Sequence, residues 1–332
     1  METLKGLYVL NDDAFEDIYG PPERAALASL LEIYAPHQTA AALRDDSTVL
    51  READVVLSGW GAPLMDASFL AAAPRLKAVF YGAGSVRGVV TDALWKRGIR
   101  VTSAASTNAV PVAEYTLAVI LFSLKHGWRL ARETRAERTF PSRAGISGGY
   151  GSVVGLISLG YVGRLVRERL RPFDLRVLAY DPYTTADEAA LLGVELVSLQ
   201  QVFRLSDVVS VHAPLLEQTA GLITGAHIAA MKPGATFINT ARGALIKEKE
   251  FITVLARRPD LQAVLDVTDP EPPISRSPLY TLPNVVLTPH IAGACGRECR
   301  RLGQMIVDEV RRYLRGEVLK GEVTHEQVAV RA

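Results

Sequence analysis

Runs of four or five apolar, largely β-branched residues alternate along the chain with stretches whose apolar positions recur three and four apart. This alternation predicts an α/β fold built on parallel sheets. In the first third, residues 7–10, 54–57, 77–80 and 100–102 read as strands, and residues 23–34, 66–72 and 92–97 read as helices. Thr91 is placed to cap the last of these helices and Gly98 to end it. A second series of strands follows at 153–157, 177–180, 207–211, 236–238, 263–265 and 284–287. Six buried strands with helices between them are the stock of one complete doubly wound sheet.

Two long helical stretches, about 110–138 and about 296–315, stand where one strand series gives way to other sequence. They read as connectors. The second series is then an insert, and the first domain is completed by the end of the chain: 1–105 with 297–332 as one domain, 106–296 as the other. A length of 332 residues accords with about two domains. Residues 139–152, with Gly145, Gly148, Gly149 and Gly151, read as a loop into the first strand of the insert.

Thirty-seven basic against thirty-six acidic residues leave a formal charge of +1. That removes the long-range field by which a nonspecific nucleic-acid binder gathers phosphates, so no nucleic-acid partner is expected. Met1-Glu2-Thr3-Leu4-Lys5 lacks a basic stretch followed by an apolar one, and the most apolar run, residues 117–122, is far shorter than a bilayer span of ~20 residues. No membrane contact and a cytoplasmic location are the expectation. Only Cys295 and Cys299 occur, which excludes a disulfide framework and fits a reducing compartment. Four apart on the predicted helix, they are expected to share a face, packed in or near a core. No metal site is expected.

The chemistry starts at strand 153–157, which runs into Ser158-Leu159-Gly160-Tyr161-Val162-Gly163 and a helix; Asp181 ends the next strand. Strand, glycine turn, helix, strand and acid in this order are the dinucleotide fingerprint in its required context. Gly160 lets backbone N–H groups approach a pyrophosphate at the helix N-terminus, and Gly163 permits close helix–strand packing. Asp181 is placed to accept from the ribose hydroxyls and to repel a 2′-phosphate, which favours NAD over NADP. One departure stands out: the first fingerprint glycine is Ser158.

Three further segments end predicted strands on the same sheet edge: Asn239-Thr240-Ala241-Arg242-Gly243, Asp266-Val267-Thr268-Asp269-Pro270-Glu271-Pro272-Pro273 and Leu287-Thr288-Pro289-His290-Ile291-Ala292-Gly293. Ligands of doubly wound sheets bind outside the carboxyl ends of the strands, so an arginine, a carboxylate and a histidine converge there. Singly, each has a bland explanation as an ion-pair partner, a loop acid or a helix cap; jointly they describe a site.

With these segments, the cofactor turn, Val211-His212-Ala213-Pro214-Leu215, Pro111-Val112-Ala113-Glu114-Tyr115-Thr116-Leu117 and Tyr81-Gly82-Ala83-Gly84, the chain resembles the D-isomer-specific 2-hydroxyacid dehydrogenases over roughly residues 75–300. The resemblance implies two doubly wound parallel-sheet domains, a Rossmann NAD-binding domain inserted into a smaller flavodoxin-like substrate domain. It implies interconversion of a 2-hydroxy acid and its 2-oxo acid with NAD. His290 is then the general acid and base, Glu271 the partner of its other ring nitrogen, and Arg242 the anchor of the substrate carboxylate and carbonyl. Cofactor contacts carry over onto Ser158, Gly160, Tyr161, Val162, Asp181, His212, Ala213, Pro214, Thr219, Thr240, Ala241, Arg242, Asp266 (at the carboxamide), His290, Ala292 and Gly293. Substrate contacts carry over onto Tyr81, Gly82, Ala83 and Gly84 beside Arg242 and His290, with substrate binding favouring closure of the domains. A homodimer through the 110–138 region is also implied.

Substrate identity is less legible. The loop 57–63 places Trp60 amid small residues, where relatives acting on 3-phosphoglycerate place an arginine for the phosphate. A non-phosphorylated substrate whose small or apolar side chain touches Trp60 or Tyr81 is the expectation. Formate-oxidising relatives carry glutamine where Glu271 stands. Two alternatives remain: a phosphoglycerate dehydrogenase-like enzyme, and an NADH-sensing binding protein resembling the corepressors of this family, which keep the same arginine, glutamate and histidine.

Overall fold

The computed structural model describes residues 3–330. The strands are β1 (Lys5–Val9), β2 (Glu32–Ile33), β3 (Val55–Ser58), β4 (Ala78–Tyr81), β5 (Arg100–Ser103), β6 (Val153–Ile157), β7 (Arg176–Tyr180), β8 (Glu195–Leu196), β9 (Val208–Val211), β10 (Thr236–Asn239), β11 (Gln262–Leu265), β12 (Val285–Leu287) and β13 (Glu322–Val323). Two compact units divide the chain: residues up to Asn108 together with those from Ala294 onward, and Ala109–Gly293. These boundaries lie three residues from the expected ones.

The first unit holds a sheet in the order β13-β5-β4-β3-β1-β2. Its strands are parallel except β13, which runs antiparallel to β5. β3 and β4 are buried along their whole length, as apolar runs covered on both faces must be. One core layer gathers Leu7, Val56, Val79 and Val101, and the other gathers Leu57, Phe80, Leu302 and Ile306. The helix Cys299–Leu314 supplies the second layer through Leu302, Ile306, Val307 and Val310, spaced three and four apart. Val9, Ser58, Tyr81 and Ser103 are register partners across β1, β3, β4 and β5. The segments after them, Trp60 and Gly82–Gly84 included, therefore leave from one carboxyl edge.

The second unit is a seven-stranded, wholly parallel sheet in the order β12-β11-β10-β9-β6-β7-β8. The order reverses between β6 and β9, the switch point at which doubly wound folds place their ligand. Tyr180, Ile157, Val211, Asn239, Leu265 and Leu287 form one continuous row of register partners. Every segment expected to carry chemistry in this unit follows a residue of that row.

Several expectations are corrected. The helix foreseen over 23–34 is Pro21–Ala28, because residues beyond it turn to pair β2 with β1. The stretch 110–138 is two helices, Ala105–Leu124 and Gly127–Glu137, broken at His126, whose φ is +50°. The run 117–122 belongs to a helix long and apolar enough to cross a membrane by length and composition, but half of that stretch is buried inside the protein. Val119, Ile120 and Leu124 join its second-unit core. Cys295 and Cys299 do not share a face: Cys295 is exposed at the cap of a 3-10 turn, whereas Cys299 opens the following helix and is buried. Thr91 caps without its side chain, which donates instead to the Met65 carbonyl at 2.7 Å.

Candidate active site

The glycine turn follows β6. Ser158 takes φ +77°, the left-handed region, where a residue with a Cβ pays ~1–2 kcal/mol. Its Oγ donates to Asp181 Oδ2 at 3.3 Å, and the Leu159 N–H donates to the same oxygen at 2.7 Å. Gly163 cannot be anything larger, since a Cβ there would stand 2.2 Å from the Ser158 carbonyl oxygen. Gly160 is the N-cap of the helix Tyr161–Leu170, and no side chain caps that end. Among the described residues, chain neighbours aside, nothing lies within 4 Å of where a Gly160 Cβ would be, so the turn leaves room beside the helix N-terminus. That is the cradle an anionic pyrophosphate fills.

Across the switch point, His212 follows β9. Both its ring nitrogens are buried without a hydrogen-bond partner among the described residues, and burial alone lowers its pKa to about 3. A neutral imidazole must still satisfy one donor and one acceptor. These orphaned nitrogens, beside the open turn, fit a polar cofactor. Ala213 and Pro214 continue a turn pinned by Thr219, whose Oγ1 donates to the Pro214 carbonyl at 2.6 Å and accepts the Leu216 N–H at 2.8 Å.

After β10, Asn239 shapes the arginine turn. Its Oδ1 accepts the Ala241 N–H at 3.0 Å and its Nδ2 donates to the Arg242 carbonyl at 2.8 Å. The Arg242 guanidinium donates to the Ala241 carbonyl at 2.6 Å. Burial lowers its pKa, and the charge of Glu271 opposes that shift. Gly243 lets this turn press on the backbone of Thr268–Asp269, the start of the glutamate segment: a Cβ there would lie 2.0 Å from the Thr268 carbonyl carbon. Arginine and glutamate segments are thus held together by the absence of a side chain.

The histidine turn follows β12. His290, at φ +54°, places Nδ1 2.6 Å from Glu271 Oε1. A carboxylate at Nδ1 makes that nitrogen the N–H donor and leaves Nε2 for a reacting proton. Asp266 is buried, and its carboxylate accepts from Thr288 Oγ1 at 2.6 Å and from the N–H groups of Ile291 and Ala292 at 2.9 and 2.8 Å. Expected at a carboxamide, it also holds the 288–292 turn in shape, with one lone pair of Oδ2 to spare.

Sequence reasoning missed the positioning residues. Tyr115, on the helix Ala105–Leu124, meets Thr288 Oγ1 at 2.9 Å, and Thr116 meets Thr240 Oγ1 at 3.3 Å. Asn239, Thr288 and Gly243 complete the set. In the first unit, Ser103 Oγ donates to the carbonyls of Ala83 and Gly84. In a trans peptide the Gly84 N–H then points away from Ser103. Tyr81 is buried, and burial pushes its phenol up to about 12. Trp60 is half-buried against both core layers.

The profile of the D-isomer specific 2-hydroxyacid dehydrogenase NAD-binding domain matches residues 117–292. The chain belongs to this family. A D-3-phosphoglycerate dehydrogenase of Mycobacterium tuberculosis is 37% identical over 286 residues, covering 84% of this chain and 53% of the relative. A glyoxylate reductase of Korarchaeum cryptofilum is 30% identical over 286 residues, covering 85% and 86%. The chain spans about half the length of the phosphoglycerate dehydrogenases it matches. In fold, a phosphoglycerate oxidoreductase from Rhizobium etli superposes with a TM-score of 0.81 at 23% identity, covering 98% of this chain and all of the other. As a member of this family, the chain carries the NAD-binding domain in its second unit, and the turn after β6 with the His212 imidazole suits that cofactor.

Proposed function

We propose that the protein interconverts a D-2-hydroxy acid and its 2-oxo acid with NAD(H). The observation that carries this is the 2.6 Å pairing of His290 with Glu271 on the sheet edge that also bears Arg242. Bound NADH supplies the hydride. The chain's own groups do the rest: Nε2 of His290 donates a proton to the carbonyl oxygen during reduction and takes it back during oxidation. Glu271 fixes the ring and favours its charged form. Arg242 anchors the substrate carboxylate with its planar fork and polarises the carbonyl.

For the substrate, a non-phosphorylated acid with a small or apolar side chain is favoured by Trp60 and Tyr81, which follow or end adjacent strands at the first unit's carboxyl edge, and by the absence of a cation in residues 57–63. A phosphorylated substrate is the alternative, supported by the D-3-phosphoglycerate dehydrogenases among the relatives. NADH oxidation with glyoxylate, hydroxypyruvate, phenylpyruvate and 3-phosphohydroxypyruvate decides between them: a preference for the last overturns the first reading. We also infer a homodimer through residues 110–138, supported by the exposure of Phe122 in the helix Ala105–Leu124. A monomeric mass by light scattering would contradict it. Cys295 and Cys299, present as thiols rather than as a disulfide, support a reducing, cytoplasmic setting.

A further inference from the structure

Asp181 is the residue expected to read the cofactor's adenosine ribose, yet its carboxylate is fully engaged. Oδ1 accepts the N–H groups of Tyr183 at 2.8 Å and Thr184 at 3.0 Å, and Oδ2 accepts Leu159 N–H at 2.7 Å and Ser158 Oγ at 3.3 Å. A carboxylate offers about four lone-pair sites, and four donors occupy them. Three of the donors are backbone groups whose directions the turns set. The fourth is the Ser158 hydroxyl, which makes the longest of the four bonds and turns freely about its own C–O bond.

We propose that Ser158 is a specificity-determining residue for the adenosine ribose, narrowing the preference for a free 2′-hydroxyl over a 2′-phosphate. The argument rests on the NAD(H) reading of the site and has two parts. A ribose hydroxyl donating to Asp181 must displace the serine hydroxyl, so part of its gain is cancelled by a bond that a glycine would never make. A 2′-phosphate, which presents acceptors, can instead take the serine O–H that a glycine cannot supply.

The test is a fluorescence titration of NADH and NADPH against wild type, Ser158→Ala and Ser158→Gly, with a thermal melt of each protein free of nucleotide. Ser158→Ala removes the hydroxyl and keeps the left-handed strain, whereas Ser158→Gly removes both. The ratio Kd(NADPH)/Kd(NADH) is expected to rise about 3- to 10-fold in both variants, the usual worth of one hydrogen bond. The melting temperature is expected to rise in Ser158→Gly alone. A ratio within twofold of wild type in both variants overturns the inference, as does a ratio that falls, which would make Ser158 a reader of the 2′-hydroxyl. A rise confined to Ser158→Gly overturns it too, by assigning the effect to backbone strain. Should Ser158→Ala fail to fold, the Ser158→Gly ratio carries the test, and an unchanged value refutes it. Wild type that binds neither dinucleotide would instead refute the cofactor reading itself.

Discussion

Gly243→Ala tests how the arginine and glutamate segments are held together. The added Cβ would stand 2.0 Å from the Thr268 carbonyl carbon, 2.2 Å from its oxygen and 2.5 Å from the Asp269 nitrogen, where ordinary contact begins at 3.4 Å. All three are backbone atoms that no rotamer change can move aside, so the two segments must separate by about 1.4 Å, the difference between 3.4 and 2.0 Å. Arg242 precedes the substituted position, and Glu271 lies two residues beyond Asp269. The substrate anchor and the partner of His290 therefore part by that distance. Overpacking of this kind costs ~1–3 kcal/mol of stability. Misplacement by ~1 Å costs ~10²-fold in turnover. The assay is steady-state NADH oxidation with the best 2-oxo acid of a panel, beside NADH titration and thermal melting. Expected are a kcat/KM lower by ~10² and a lower melting temperature. NADH should still bind through the untouched turn after β6, its affinity falling by less than kcat/KM because the displaced Thr240–Arg242 segment is also expected to meet the cofactor. A variant that melts with wild type and keeps its kcat/KM within about threefold would refute the reasoning.

Three further outcomes follow. His290→Ala should lower kcat by ~10² or more while NADH still binds, as loss of a general acid requires; an unchanged kcat assigns the proton to another group. Asp266→Asn places an amide N–H₂ where two carboxylate oxygens accept from Thr288, Ile291 and Ala292. One donor then faces another, and stability should fall by ~1–3 kcal/mol in chemical denaturation, together with kcat. His212 makes the protein acid-sensitive: unfolded, it takes up a proton below its ordinary value of 6.5, and folded, only near 3. The unfolded state binds more protons in that window, so stability is lost as pH falls through it. The loss from pH 7 to pH 5 is about 2 kcal/mol. His212→Asn should flatten the dependence in urea unfolding at the two pH values; an identical slope in wild type and variant would place the titrating group elsewhere.

The central strands were legible because they are buried on both faces and read as unbroken apolar runs; Val153–Ile157 ends where its pattern ends. β2, β8 and β13 were not, since two-residue edge strands with part-exposed side chains leave no periodic trace. Residues 29–33 read as helix because their apolar spacing suits one, but pairing with β1 overrides that preference. At the site, Arg242, Glu271 and His290 could be found because each lies just beyond a strand, where a parallel sheet gathers its functional groups. What holds them could not: Asp266 reaches Ile291 and Ala292 across about 25 residues, and Tyr115 reaches Thr288 across 173. No local spacing reports such contacts. Ser158 was visible as a departure, but its bond to Asp181 became evident only in three dimensions.

The central claim is that His290, Glu271 and Arg242 serve the reduction of a 2-oxo acid by bound NADH. Its most direct measurement is the transfer of deuterium from NADH labelled at the nicotinamide C4 to a 2-oxo acid, with the product resolved on a chiral phase. The account predicts deuterium at C2 of the D-2-hydroxy acid with wild type and next to none with His290→Ala that still binds NADH. An L product, or equal label incorporation by the variant, would contradict it.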